Sequence, residues 1–354
     1  MLPYNEDKEI LEEIVITRNL SERTELLYER IIKKYTTHNH KSLKELLIEA
    51  ETEEENKISW RKRTLRKRLL SFRQYLYGNY KTSTAKMNFS KVLTIYRHYE
   101  IELHKLPPIS EKRNSDNYIT FKDLPTKEII KKSLEISKPI HRAIILFQAS
   151  SGCATVDTLN LRIKDLLVSV EEYYKTDNVY DMIDKLYCRS DIIPCFTLRR
   201  RKTGKKYYTF CTSEAFNNIC AYLLTRKSLN MNDRVFKITQ LHLMQLYRDV
   251  NNTLHLGTVG ESNYVRFRSH MLRKYHASAL YNNGLSINII NELQGKSKSQ
   301  TDSSYFMEDP ANLKQLYVKH MKVLMFNIDG DNVNGKTYDS LIARIEYLES
   351  IMNL

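Results

Sequence analysis

The sequence predicts a mainly α-helical protein with a small β-sheet, divided into two domains. Three observations predict it. Apolar residues recur every three to four positions through residues 1–105 and again from Ser213 onward, the period of amphipathic helices. One run of strand formers, DIIPCFTLRRR (191–201), passes through Lys202-Thr203-Gly204 into KKYYTFC (205–211), the pattern of a β-hairpin. Between the helical start and the larger remainder lies LPPISEKRNSDNYIT (106–120). It is polar, lacks an amphipathic period and carries Pro107 and Pro108, so it reads as an interdomain linker.

The elements follow in order. Ser21 caps a helix carrying Leu27, Ile31 and Tyr35 at steps of four, and Ser42 with Glu45 forms an S-x-x-E capping box ahead of Leu46 and Leu47. After the acidic stretch ETEEEN (51–56), a helix over 59–77 places Leu65, Leu69, Phe72 and Leu76 on one face. Its other faces carry Arg61, Lys62, Arg63, Arg66, Lys67, Arg68 and Arg73. A further helix begins near Thr82 or Ser83 and buries Met87 or Phe89 with Leu93 and Tyr96. The first domain, 1–105, is thus a small helical bundle with one strongly basic side. Beyond the linker, a second domain over 121–330 opens with helices around 126–136 and 139–150, then the hairpin, then mostly helix. The tail, 331–354, puts Leu341, Ile345, Leu348 and Met352 on one stripe, which packs either on its own domain or on a neighbouring molecule.

The net charge of +14 favours a polyanionic partner, because Lys and Arg displace the counterions condensed on a phosphate backbone. The five cysteines are odd in number and form no C-x-x-C pair, which argues against a disulfide framework or a zinc site and for a reducing compartment. The acidic start MLPYNEDKEILEE is unlike a signal peptide, and no apolar run approaches the ~18 residues of a membrane span. A cytoplasmic protein that binds nucleic acid, with no membrane association, is the expectation.

Four elements of the second domain carry candidate chemistry. In SHMLRKYHASAL (269–280), His270 and Arg273 stand at i and i+3, so an imidazole and a guanidinium share one helix face and can converge on an anion. H-x-x-R alone is common, and a solvated helix face explains it as well. In LQGKSKSQTDSSYF (293–306), Gly295 and Lys296 precede Tyr305, one of 24 tyrosines. Lys202 lies at the hairpin turn among Arg199, Arg200, Arg201, Lys205 and Lys206. The fourth element is ASSGCATVDTLNLRIKDL (149–166).

In this order and spacing the set resembles the catalytic domain of tyrosine recombinases, the family of phage integrases and chromosome-dimer resolvases. The family's box H-x-L-R-H-x-x-A-x-x-L is matched by His270, Leu272, Arg273, Ala277 and Leu280, with Lys274 in place of the second His. Its L-G-H-x(8)-Y pattern is matched by Gly295, Lys296 and Tyr305, and its hairpin lysine falls on Lys202. SSG (150–152) and SSYF (303–306) are similar to integrases common among archaea and anaerobic bacteria. The resemblance implies a helical core-binding domain followed by a mixed α/β catalytic domain, closing as a clamp around duplex DNA without metal or other cofactor. It further implies a homotetramer on two specific DNA sites, monomeric off DNA, exchanging strands through a Holliday junction and passing a C-terminal helix to a neighbour.

The chemistry accounts for the residue types. A tyrosine stores the phosphodiester's free energy as a 3′-phosphotyrosine, so strands rejoin without an energy source. By the resemblance, Tyr305 is the nucleophile and Arg273 stabilises the phosphorane. His270 assists proton removal or holds the phosphate, Lys202 protonates the leaving 5′-oxygen, and Lys296 donates to a phosphate oxygen. The family's first catalytic arginine, in T-G-x-R-x-x-E, is absent: its position falls on Ala154, with Asp157 at the acidic position. Either Ala154 is an engineered replacement or the chain is a natural recombinase with reduced activity. Losing one transition-state arginine costs on the order of 3–4 kcal/mol, about 10²–10³ in rate. The expectation is a protein that binds DNA well, through Arg61 to Arg73 and Arg199 to Lys205, and cleaves it poorly. A non-catalytic DNA-binding relative and a type IB topoisomerase are the alternatives.

Overall fold

Capping and burial together set the helices. The computed structural model describes residues 5–109, 119–259, 264–296 and 309–326, and the chain divides into two units, Met1–Lys112 and Arg113–Leu354. Tyr305, part of the linker (110–118) and the tail stripe Leu341, Ile345, Leu348 and Met352 lie outside the described residues.

Among the described residues the first unit holds five helices: α1 (Glu6–Thr17), α2 (Glu22–Asn39), α3 (Leu43–Glu55), α4 (Thr64–Asn79) and α5 (Thr82–His98). The Ser42–Glu45 capping box forms, each side chain bonding the other residue's amide at 3.2 and 2.7 Å. Ser21 stands at the start of α2, but its hydroxyl meets that of Thr24 rather than an amide. One apolar stripe per helix closes the core, including Ile31, Tyr35, Leu69, Phe72, Leu76 and Tyr96. Burying each such side chain stabilises by about 1.5–3 kcal/mol. The Tyr35 and Tyr96 hydroxyls meet at 2.9 Å, so neither is left without a partner in that core. Phe89 is the buried member of its pair with Met87, which is exposed.

The basic helix starts later than its periodicity suggests, at Thr64 rather than residue 59. The Glu53 carboxylate accepts from the Thr64 and Leu65 amides at 2.5 and 3.2 Å, satisfying the helix's first donors, while residues 59–63 form a turn. Two of the arginines assigned to DNA are thereby corrected. Arg63 is buried, with its guanidinium on the Ile58 carbonyl (2.9 Å) and Glu54 (3.4 Å). Arg68 makes a two-pronged pair with Glu49 at 2.7 and 3.1 Å and reaches Asn39 at 3.2 Å. Arg63 ties the turn before α4 to α3, and Arg68 ties α4 itself to α3, so both guanidinium groups are drawn into contacts inside the unit.

The second unit holds α6 (Lys127–Glu135), α7 (Pro139–Ser151), α8 (Thr155–Asn160), α9 (Ile163–Ser169), α10 (Val179–Leu186), β1 (Cys195–Arg199), β2 (Lys206–Phe210), α11 (Ser213–Leu224), α12 (Gln240–Thr253), α13 (Ser269–Asn282), α14 (Ile287–Leu293) and α15 (Pro310–His320). Helix α7 is the central element, buried from Ala143 to Ser151 and packed on α11 and α13. Pro194 lacks a ladder donor, and β1 begins just after it, pairing antiparallel with β2 from Cys195↔Phe210 to Arg199↔Lys206. The last carbonyls of α7 find partners outside the helix: Thr209 donates to Ser151 O and Tyr317 to Ser150 O, both at 2.9 Å. These bonds hold β2 and α15 against the C-terminus of α7, where the candidate residues gather. Among the described residues no helix is long and apolar enough to cross a membrane.

Candidate active site

The site is assembled where α7 ends, α13 begins and α14 stops. Arg273 lies one turn into α13 and is buried, only 8% exposed. It donates from Nη1 to Gly152 O (2.5 Å) and from Nη2 to Gln294 O (2.8 Å). Gln294 returns the contact, its Nε2 donating to Arg273 O (2.9 Å) and to Nδ1 of the buried His276 (3.1 Å). The guanidinium is therefore held through two backbone carbonyls, with three further N–H donors left for a ligand among the described residues.

Two glycines make this approach possible. Gly152 ends α7 at φ 64°, and a Cβ there would lie 2.5 Å from His276 Nδ1. Gly295 sits at φ 59° with its backbone against the Tyr207 ring, where a Cβ would lie 2.6 Å from Cδ1. Both need left-handed backbone and the space of a hydrogen atom.

The hairpin enters the same cluster. Arg200 donates from Nη1 to Gln294 O and to Gly295 O, each at 2.9 Å, and its buried Nε has no acceptor among the described residues. Lys205 pairs with Glu292 at 2.8 Å and donates to Lys296 O at 3.2 Å. Asp157 accepts from the Arg201 amide at 3.2 Å and from the Tyr207 hydroxyl at 3.4 Å, tying α8 to the hairpin.

Positive charge dominates the electrostatics, with Asp157 acting the other way on Arg273. Burial, then the neighbouring Arg200 charge, disfavours charged Arg273; burial, then Arg273 and Arg200, does the same to Lys296. His270 is held below its ordinary value by partial burial first, then by Lys274, Arg268, Arg273 and Lys296. His276 is pushed down to about 3 by burial, with Arg273 and Lys296 adding to it, so it is neutral. A guanidinium cannot give up its proton at ordinary pH, so an anion is what would relieve this site. Among the described residues no cluster of three His, Cys, Asp or Glu side chains could hold a metal ion.

The structure brings Arg273 and Lys296 together and places His270, solvent-accessible, on the first turn of the same helix as Arg273. Ala154 caps α8, half-buried and two residues from Gly152. Lys202 is exposed at the hairpin tip, and no hydrogen bond links it to Arg273 or Lys296. Arg199 and Arg201 are exposed beside it. In the first unit Arg61, Lys62 and Lys67 are exposed, Arg66 is half-buried, and Arg73 lies over the Phe89 ring at 5.9 Å.

Several residues escape a sequence reading. Gln294, His276 and Tyr207 support the site by packing that has no motif. In the first unit Arg30, Lys33, Lys34, Thr37 and His38 of α2 line an open depression of about 400 Å³ with Tyr75 of α4. Their spacing of three and four along ERIIKKYTTHN was the available signal.

Comparison with known proteins bears on this arrangement. Residues 126–311 match the model of the phage integrase family. Among solved structures the chain is similar to a lambda integrase(75-356) dimer bound to a COC′ core site, at 12% identity over 85% of this chain and 98% of that one, with TM-score 0.54. A lambda integrase tetramer bound to a Holliday junction gives 14% identity, 86% and 77% coverage and TM-score 0.54. XerH site-specific recombinase in a post-cleavage complex with palindromic difH substrate gives 16%, 86%, 82% and 0.50. At these identities the likeness is one of fold. No curated protein sequence matches the chain. The matched segment spans more than half the chain and contains the whole charged cluster around Arg273: the chain belongs to the phage integrase family of tyrosine recombinases.

Proposed function

We propose that this chain is a site-specific DNA recombinase that integrates or excises a mobile element through a 3′-phosphotyrosine intermediate, working as a homotetramer on DNA in the cytoplasm. The observation that carries the reading is the buried guanidinium of Arg273, bonded to backbone carbonyls and in no ion pair among the described residues, beside Arg200, Lys296 and His270, an arrangement that suits an oxyanion. Tyr305 attacks phosphorus, the bond to the 5′-oxygen breaks, and the phosphoryl group passes to the phenolic oxygen. Neutral, accessible His270 accepts the phenolic proton or orients the phosphate; Lys202 on the exposed turn gives a proton to the leaving 5′-oxygen. Arg273 and Lys296 donate to the non-bridging oxygens, where charge accumulates. Arg61, Lys62, Arg66, Lys67 and Arg73, with Arg30, Lys33 and Lys34 of α2, contact phosphates of the duplex, which yields affinity rather than sequence selection.

The test uses nicked duplexes selected for binding from a randomised pool, with covalent adduct as the readout. The reading requires an adduct that disappears with Tyr305→Phe and falls about 10²–10³-fold with Arg273→Ala. Ala154, standing at the family's first arginine position, favours a second reading, a DNA-binding relative without turnover. Tight binding with no adduct from any version establishes that reading instead, and relaxation of supercoils without a preferred site would point to a topoisomerase.

A further inference from the structure

We infer that Arg200, from the hairpin, supplies the second guanidinium of the site, taking the place of the arginine missing at Ala154. This rests on the recombinase reading and revises the expectation of slow cleavage. Arg200 and Arg273 arrive from elements far apart in sequence yet donate to one atom, the Gln294 carbonyl oxygen, at 2.9 and 2.8 Å. Two donors on a single acceptor lie within about 6 Å of each other, inside the span of one phosphate bonded through two of its oxygens. Lys205, which joins the same cluster, is paired with Glu292. Arg200 and Arg273 have none among the described residues; both lean on neutral carbonyls.

A purely structural staple accounts for Arg200 less well. A clamp joining the hairpin to the 294–295 backbone needs donors and no charge, yet here a full charge is set beside Arg273, where, after burial, it disfavours the charged form of Arg273. Its buried Nε also lacks an acceptor among the described residues, so the group is not fully bonded without a ligand. The path of the chain supports the assignment. Asp157 stands where the family's acidic residue follows the missing arginine, and it holds the backbone amide of Arg201 at 3.2 Å. The carboxylate thus anchors the hairpin at the residue next to Arg200. The guanidinium arrives from the strand side of the site instead of from the residue that caps α8.

The inference is tested with the same nicked duplexes, made with either an ordinary phosphate or a neutral methylphosphonate at the scissile position. Arg200→Ala is expected to lower adduct formation on the phosphate about 10²–10³-fold, measured per bound duplex. On the methylphosphonate, where less charge needs neutralising, the loss shrinks to less than about tenfold, because charge neutralisation is the function removed. Adding Ala154→Arg to Arg200→Ala restores cleavage of the phosphate. Arg200→Gln, which retains a donor toward the carbonyls but no charge, serves if Arg200→Ala misfolds and is expected to show the same substrate dependence. Wild-type cleavage by either variant overturns the inference, as does an equal loss on both substrates, which would mark Arg200 as structural. Adduct from the Ala154→Arg protein with none from the unaltered chain overturns it while sparing the recombinase reading. No adduct from any version overturns both.

Discussion

Replacing Gly295 by alanine separates two costs that the structure superimposes at the centre of the site. Gly295 has φ 59°, where an L side chain costs roughly 1–2 kcal/mol. A Cβ there would also lie 2.6, 2.7 and 2.9 Å from three atoms of the Tyr207 ring. That ring is only 1% exposed and its hydroxyl is bonded to Asp157, so it has little room to retreat; overpacking of this kind adds about 1–3 kcal/mol. Gly295→Ala should therefore destabilise the second unit by about 2–5 kcal/mol. Gly204, at φ 70° with nothing within 4 Å of its notional Cβ, carries the conformational cost alone, so Gly204→Ala should lose only about 1–2 kcal/mol. Urea unfolding with equal m-values measures both. Adduct formation should fall further in Gly295→Ala, since the displaced backbone carries the carbonyls that hold Arg273 and Arg200. Equal losses in the two variants would refute the steric part of the reasoning, and a Gly295→Ala protein of undiminished stability would refute all of it.

Three further outcomes are expected. Arg68→Ala should cost about 1–3 kcal/mol of first-unit stability and leave the salt dependence of DNA binding unchanged, whereas Lys33→Ala or Lys67→Ala should leave stability within about 0.5 kcal/mol and reduce the slope of log K against log salt by about 0.9. Urea unfolding and salt-titrated binding read the two effects. His276 titrates near 3 in the fold against about 6.5 unfolded, so the unfolded chain takes up its proton first as pH falls. Stability should then drop by about 1.4 kcal/mol per pH unit between roughly 6.5 and 3, and His276→Gln should remove that share, leaving a similar one from His141, which burial first and then His242 and Lys138 lower to about 4. Tyr96→Phe strands the Tyr35 hydroxyl in the core and should cost about 1–3 kcal/mol, while Tyr35→Phe with Tyr96→Phe should cost less than the sum of the single changes in a double-mutant cycle.

Local chemistry wrote part of this protein legibly in its sequence. The Ser42–Glu45 box, the stripe Leu65–Leu69–Phe72–Leu76 and the hairpin from Cys195 to Phe210 depend on neighbours within a few positions or on simple alternation, and each forms as its pattern implies. The pairing of His270 with Arg273 on one helix is of the same kind. Contacts between distant residues were not written locally. The run 61–68 reads as uniform positive charge, yet Glu49, Glu53 and Glu54 withdraw Arg63 and Arg68 from the surface and move the start of the helix to Thr64. Ala154 reads as a missing catalytic group; only the folded chain shows Arg200 reaching the carbonyl that also holds Arg273. The physical reason is separation along the chain. Periodicity and capping are settled by residues three or four apart, whereas the site is settled by where α7, the hairpin and α14 meet, which only packing decides.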